Sequence, residues 1–260
     1  MRGFAKELTA VKPRWALWME AVLLALCQSF AVFSFVRFWL LRVWLDVLLS
    51  LGTILLLLLP LLLEGVFHCA MSPVMVAFSL LYALCPLLGH GYKLYYVTDW
   101  WDKLMHCSGG VAFAILGLYL PYLLNRGKEM SVAMRAVFAF CFSIALSALW
   151  EFYEFGSDRL LGTDMQVDTY VTAIHSYFLG DGPGVVGSIT DIESVVVDGV
   201  ELDGYLDIGL FDTMWDMLIE SLGALIVTVL FLIDRGRHPA FQSLRSGAKR
   251  DEEEWEAVMS

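Results

Sequence analysis

Residues 43–63 read VWLDVLLSLGTILLLLLPLLL, with a single charge, Asp46, in 21 residues. A helix that crosses the hydrocarbon core of a bilayer needs roughly 20 apolar residues. A helix that is apolar on every face has no place at the surface of a soluble protein. This stretch therefore sets lipid as the solvent. Working outward from it, five further apolar runs stand at 15–36, 71–88, 101–124, 133–153 and 213–233. The third is the shortest and holds Pro86. Trp15, Trp39, Trp44, Tyr95, Trp101, Tyr122, Trp150 and Trp215 lie near the ends of these runs, as an interfacial aromatic belt requires. The expected fold is an all-α membrane protein, a six-transmembrane-helix bundle in contact with the lipid bilayer.

Basic residues set the orientation. The N-terminal segment, the connection from the fourth to the fifth span and the C-terminal segment together carry twelve Lys and Arg, whereas the opposite side carries five: Arg37, Arg42, Lys93, Lys103 and Arg159. The expected topology is N-in/C-in, with both termini cytoplasmic. The N-terminal basic residues and the apolar run after them look like a signal sequence. That run is too long for one and no A-x-A site follows, so it reads as an uncleaved first span. The transmembrane domain is taken as 1–234, including an extracytoplasmic insertion at 157–211, and 235–260 as a cytoplasmic charged tail.

The net charge of −11 is local. Nine acids fall between Leu160 and Phe211, and no Lys or Arg occurs between Leu160 and Asp234. Without a clustered basic face, no nucleic-acid partner is expected. The insertion holds GDGPG at 180–184 and then SVVVDGVELDGYLDIG at 194–209, which reads as a β-hairpin turning at Asp198-Gly199. The five cysteines are odd in number, form no C-x-x-C and lie mostly in apolar runs, so neither a disulfide framework nor a thiolate metal site is expected.

Three polar motifs interrupt the apolar background: DWWDKLMHCSGG at 99–110, LWEFYEFGSDRLLGTDMQ at 149–166 and LFDTMWDMLIESLGA at 210–224. Asp102 and His106 are spaced i, i+4. Glu151, Glu154 and Asp158 are i, i+3, i+7, and Asp212, Asp216 and Glu220 are i, i+4, i+8. Residues at these offsets share one stripe of a helix. With alternating spans, all three motifs are expected at the same membrane face. An ionisable group at mid-bilayer costs roughly 2.5–3.5 kcal/mol on insertion scales, so Asp216, Glu220 and His106 are expected to face the interior and find partners. Asp99, Asp102 and Asp212 read equally well as helix N-terminal caps. Glu151 and Glu154 are expected at a helix C-terminus, where the dipole disfavours anions. Compensation would come from Lys103, Arg159, a protonated His106 or a metal ion. Gly109, Gly110 and Gly223 read as close helix packing. Glu20 and Asp46 are expected to pair with Arg42 or reach water. One imidazole among carboxylates from several helices suits a divalent ion: Zn, Mn or Fe, or Mg if the imidazole stays out.

The stretches WDKLMHCSGG, LWEFYEFGSDRLLGTDMQ and DTMWDMLIESLGAL resemble the shared motifs of the YjdF-type bacterial inner-membrane family. That group is distantly similar to the VanZ-like superfamily, in which a D-K-x-x-H motif opens one helix and an acidic motif before a Gly-rich stretch opens another. The matching positions are Asp102, Lys103, His106, Glu151, Glu154, Asp164, Asp212, Asp216 and Gly223, and the chain departs from the pattern in its insertion at 167–209. The resemblance implies a cell-envelope protein of the bacterial plasma membrane. The first functional reading is an outward-facing site for a lipid or cell-envelope headgroup. Glu154 and Asp216 are then the catalytic (general-base) candidates, Asp102, Lys103 and Asp164 meet the headgroup, and His106, Glu151, Glu154, Asp212 and Asp216 hold a divalent metal ion. A proton- or ion-coupled transporter is the second reading. The third is a structural or sensory membrane protein without catalysis.

Overall fold

The computed structural model describes residues 12–67, 71, 73–98, 100–124 and 130–235. Asp99, Cys69, the basic residues Arg2, Lys6, Arg126 and Lys128, and the charged tail beyond Arg235 lie outside the described residues. Among the described residues six helices are long and apolar enough to cross a membrane: Arg14–Leu41, Trp44–Val66, Pro73–Gly91, Trp101–Pro121, Val132–Leu161 and Leu210–Asp234. The chain is a multi-pass, mostly helical membrane protein. The outer face of the first helix carries Trp18, Val22, Leu26, Phe33 and Leu40 in the open, which is tolerable only against lipid.

Helix α1 (Arg14–Leu41) ends where Arg42 turns into the left-handed region at φ 58°. The second span is broken into α2 (Trp44–Leu56) and α3 (Leu59–Phe67). Pro60 supplies the physical reason, since its ring and missing N–H interrupt the ladder around Leu56. The third span, α4 (Pro73–Pro86), continues as one π-helical turn at Leu87–Gly91, and the short α5 (Leu94–Val97) follows. At Gly89 a Cβ would fall into the ring of Tyr95, so any larger residue there would have to displace that ring. Helices α6 (Trp101–Leu124), α7 (Val132–Leu161) and α8 (Leu210–Asp234) complete the spans.

The chain divides into two compact units, residues 1–144 with 220–260, and residues 145–219. In the first, α1, α2 and α4 enclose a core of Ala31, Phe38, Val47, Val76, Leu80 and Leu87. A second core of Ala114, Leu118, Ala139, Ala224, Val227 and Phe231 joins α6 to the start of α7 and the later part of α8. The second unit holds the end of α7, the start of α8 and three two-stranded antiparallel ladders between them. These are β1 (Tyr170–Val171) with β6 (Tyr205–Leu206), β2 (Ile174–Ser176) with β3 (Gly187–Ile189), and β4 (Val195–Val197) with β5 (Val200–Leu202). Between β4 and β5, Asp198 and Gly199 both have positive φ, 50° and 85°, which is the backbone of a type I′ turn.

The polar residues of the first three spans differ from expectation. Glu20 neither reaches water nor meets Arg42. It is buried, and its carboxylate receives Lys12 Nζ at 2.8 Å. The same ammonium lies 2.6 Å from Glu64 Oε1, which also accepts the Met71 N–H at 2.7 Å. One buried ammonium is thus shared by two buried carboxylates, so removing it would strand both of them. Asp46 is also buried and makes no pair with Arg42 among the described residues.

Candidate functional site

Within the first unit the fourth-span motif is helical from its first residue. Asp102 stands in the first turn of α6, where the free N–H groups and the positive dipole end favour a carboxylate. Its Oδ2 lies 3.0 Å from Lys103 Nζ, and its Oδ1 lies 3.7 Å from His106 Nε2. On its other side, His106 Nδ1 lies 3.7 Å from Glu220 Oε2 of α8. The imidazole is thus set between two carboxylates, one facing each ring nitrogen. Both distances are too long for hydrogen bonds.

Exposure falls along this line. The Asp102 and Lys103 side chains are 30% and 31% exposed, His106 is 8% and Glu220 is 3%. The Asp102–Lys103 end is therefore open at the protein surface, and the deep end is a buried carboxylate. Glu220 Oε1 has no hydrogen-bond partner among the described residues, and neither has the indole N–H of Trp101 at the start of α6. An orphaned buried oxygen is costly unless an ion, a water or a proton meets it.

Glycines fix this geometry. A Cβ at Gly110 would meet the carbonyl oxygen of Glu220, and one at Gly223 would meet that of Cys107. The backbones of α6 and α8 therefore touch where Glu220 approaches His106. Ser143 Oγ donates to the Gly110 carbonyl at 3.2 Å and ties the start of α7 to the same crossing. A Cβ at Gly109 would meet Tyr82 Oη at 3.0 Å and Glu220 Cδ at 3.9 Å, which puts the α4 hydroxyl beside the buried carboxylate. Tyr82 carried no signal in the sequence, because a tyrosine in an apolar span reads as core or belt. Glu220 was legible as an interior acid on the Asp212–Asp216 stripe, though not as the partner of the ring.

The acids of the second unit take varied roles. Helix α7 runs on to Leu161, ten residues beyond Glu151 and seven beyond Glu154. Neither sits in the last turn, where the dipole acts, so the expected dipole penalty falls away. Both are buried, and Glu154 Oε1 accepts the Trp150 indole N–H at 2.7 Å. Asp158, one turn further along the same helix, is engaged by the chain that follows. Its carboxylate accepts from Thr163 Oγ1 at 2.7 Å, Met165 N at 2.7 Å and Gln166 N at 2.9 Å. It wraps the chain as it leaves the helix. Asp216 is buried on α8 at 1% exposure. Asp212 lies in the first turn of α8, where the positive dipole end favours a carboxylate, and its Oδ2 accepts the Val167 N–H at 3.0 Å. Asp207, three residues before the helix, also accepts from its first turn: it takes Thr169 N, Gly209 N and Phe211 N at 2.9, 3.2 and 2.7 Å. Asp164 is exposed after α7. Nearby, burial and the carboxylates of Asp164, Asp207 and Asp158 push Asp168 above the usual aspartate range, against the pull of Arg159.

A partly exposed Asp–Lys pair leading to a buried imidazole and carboxylate can bind a cation, seat an anion at Lys103 or pass a proton inward. No curated protein and no solved structure matches the chain. A family model matches residues 18–237, from the second turn of α1 to just past the end of α8. Six helices able to cross a membrane and a match over most of the length give one assignment: the chain belongs to the family described as "Predicted membrane protein (DUF2238)".

Proposed function

We propose that Asp102, His106 and Glu220 form the working end of a site that binds a divalent cation and, with Lys103, the phosphate-type headgroup of a lipid or envelope molecule. The observation that carries it is the imidazole held between two carboxylates, with a buried oxygen left over at Glu220. The two ring nitrogens point to opposite partners, so one ion takes only one of them. Nε2 and Asp102 Oδ1, 3.7 Å apart, are near the spacing of about 3.3 Å that two ligand atoms keep on a tetrahedral zinc with bonds of about 2.0 Å. Glu220 then serves the other nitrogen as the carboxylate that orients a metal-bound histidine. The stripe of α8 that carries Glu220 also carries Asp216 one turn earlier and Asp212 two turns earlier, and Asp216 or Glu154 is the general-base candidate if a reaction follows. The N-in/C-in topology, with the Asp102–Lys103 end outside a bacterial plasma membrane, and the VanZ-like likeness of the Asp102–Lys103–His106 motif belong to the same proposal.

Metal analysis of purified protein supplied with zinc and manganese tests it. One ion per chain is expected for the unaltered protein, with loss in His106→Ala and affinity about 10–100-fold weaker in Glu220→Gln. Absence of a stoichiometric ion from the unaltered protein sinks the metal part.

A second reading, a proton or ion pathway, draws on the buried Lys12, Glu20 and Glu64 at the start of α1 and the end of the second span. Spans alternate, so this cluster belongs to the membrane face opposite Asp102. Uptake into proteoliposomes that Glu64→Gln abolishes would favour it over the first.

A further inference from the structure

A different surface of the first unit carries a second ligand chemistry. Arg37 lies one turn before the end of α1 at Leu41, and its guanidinium rests on two aromatic rings, 5.2 Å from the centroid of Phe38 and 5.1 Å from that of Tyr92. Those rings are themselves fixed. Tyr92 packs edge-on to Phe38 and beside Phe30, and its hydroxyl is 2.9 Å from Ser34 Oγ. Stacking engages the face of a guanidinium and leaves its five N–H groups free in the plane. No described carboxylate or carbonyl accepts from them. The side chain is exposed.

On the exposed face of α1 a shallow apolar groove runs between the side-chain row Phe33, Arg37, Leu41 and the row Val36, Leu40. The depth is marked by the Trp39 and Trp44 rings, which meet edge-on at 5.3 Å at the level where indoles sit among headgroups. The groove therefore faces acyl chains, and the guanidinium faces the phosphate layer. An arginine fork matches phosphate oxygens two at a time, and such a charge near a helix end is stable where it reaches a headgroup.

We propose that this groove is a binding site for one phospholipid, its phosphodiester held by Arg37 and an acyl chain lying along Phe33, Val36 and Leu40. The site is independent of the His106 cluster and of whatever that cluster binds.

Native mass spectrometry of the full chain, delipidated in detergent, tests this with three probes: dioleoyl phosphatidylglycerol, dioleoylglycerol and inorganic phosphate. The expected result is one retained phosphatidylglycerol per chain, retention at least about tenfold weaker in Arg37→Gln, and no comparable retention of either partial probe. Val36→Trp, which fills the groove and leaves Arg37 in place, is expected to weaken retention as well, and it decides the matter if Arg37→Gln does not fold. Equal retention by Arg37→Gln, or by Val36→Trp where Arg37→Gln is unfolded, overturns the proposal. So does equal binding of dioleoylglycerol, which would mean a nonspecific apolar surface, or competition by phosphate alone, which would mean a free-anion site.

Discussion

Replacing Gly110 with alanine adds a methyl group onto the Glu220 carbonyl and close to the Ala224 nitrogen. Those are backbone atoms of a helix, so no side-chain rotation relieves the contact, and α6 and α8 must part by about an ångström or more to restore normal separation. Overpacking of this kind costs about 1–3 kcal/mol, against about 0.5–1 kcal/mol that alanine returns through helix propensity. A net loss of about 1–2 kcal/mol is expected. Gly52 of α2 is the matched control, because a Cβ there meets nothing within 4 Å. Gly52→Ala is expected to be neutral or to gain up to about 1 kcal/mol. Unfolding of the purified protein, titrated with sodium dodecyl sulfate from a mild detergent, measures both. Gly223→Ala strikes the same crossing against the Cys107 carbonyl, so the Gly110→Ala/Gly223→Ala pair is expected to cost less than the sum of its parts. The same separation moves Glu220 away from His106, so a Gly110→Ala protein that folds should bind a divalent ion more weakly. Gly110→Ala at or above the stability of the unaltered chain, or Gly52→Ala the more damaging of the two, would refute the close crossing and the geometry built on it.

Lys12→Met leaves Glu20 and Glu64 buried without their shared cation and is expected to cost about 3–5 kcal/mol, most of it recovered when both glutamates become glutamine; the same detergent titration reads this. Asp158→Ala removes the acceptor for two backbone N–H groups and the Thr163 hydroxyl. Its expected effect is a local loss of about 1–3 kcal/mol, seen as faster protease cleavage within 162–169 while the helical circular dichroism stays unchanged. Asp168 has a folded value raised above 3.8. Its contribution to the stability of the insertion is therefore full below the ordinary aspartate range and lost as pH rises through the raised value. Asp168→Asn removes that loss, so hydrogen exchange in the β1–β6 ladder is expected to slow relative to the unaltered protein as pH rises, with no difference at lower pH.

The amino-acid sequence by itself settled the solvent and the spans. Apolar runs of membrane length can be satisfied only by helices in lipid, so 43–63 and its five companions were legible without any tertiary contact. A tight turn at Asp198-Gly199 was likewise expected from residue type alone. The line of polar residues opening α6 was legible for the same local reason, since i, i+4 spacing puts Asp102 and His106 on one stripe whatever surrounds them. Tertiary structure decided which polar groups meet. Lys12 with Glu64, Asp212 with Val167, and His106 with Glu220 are 52, 45 and 114 residues apart. No periodicity encodes such pairs, because they depend on which helix faces touch. Those faces are chosen by small residues such as Gly110 and Gly223, whose missing side chains let two backbones approach and bring a buried carboxylate against an imidazole.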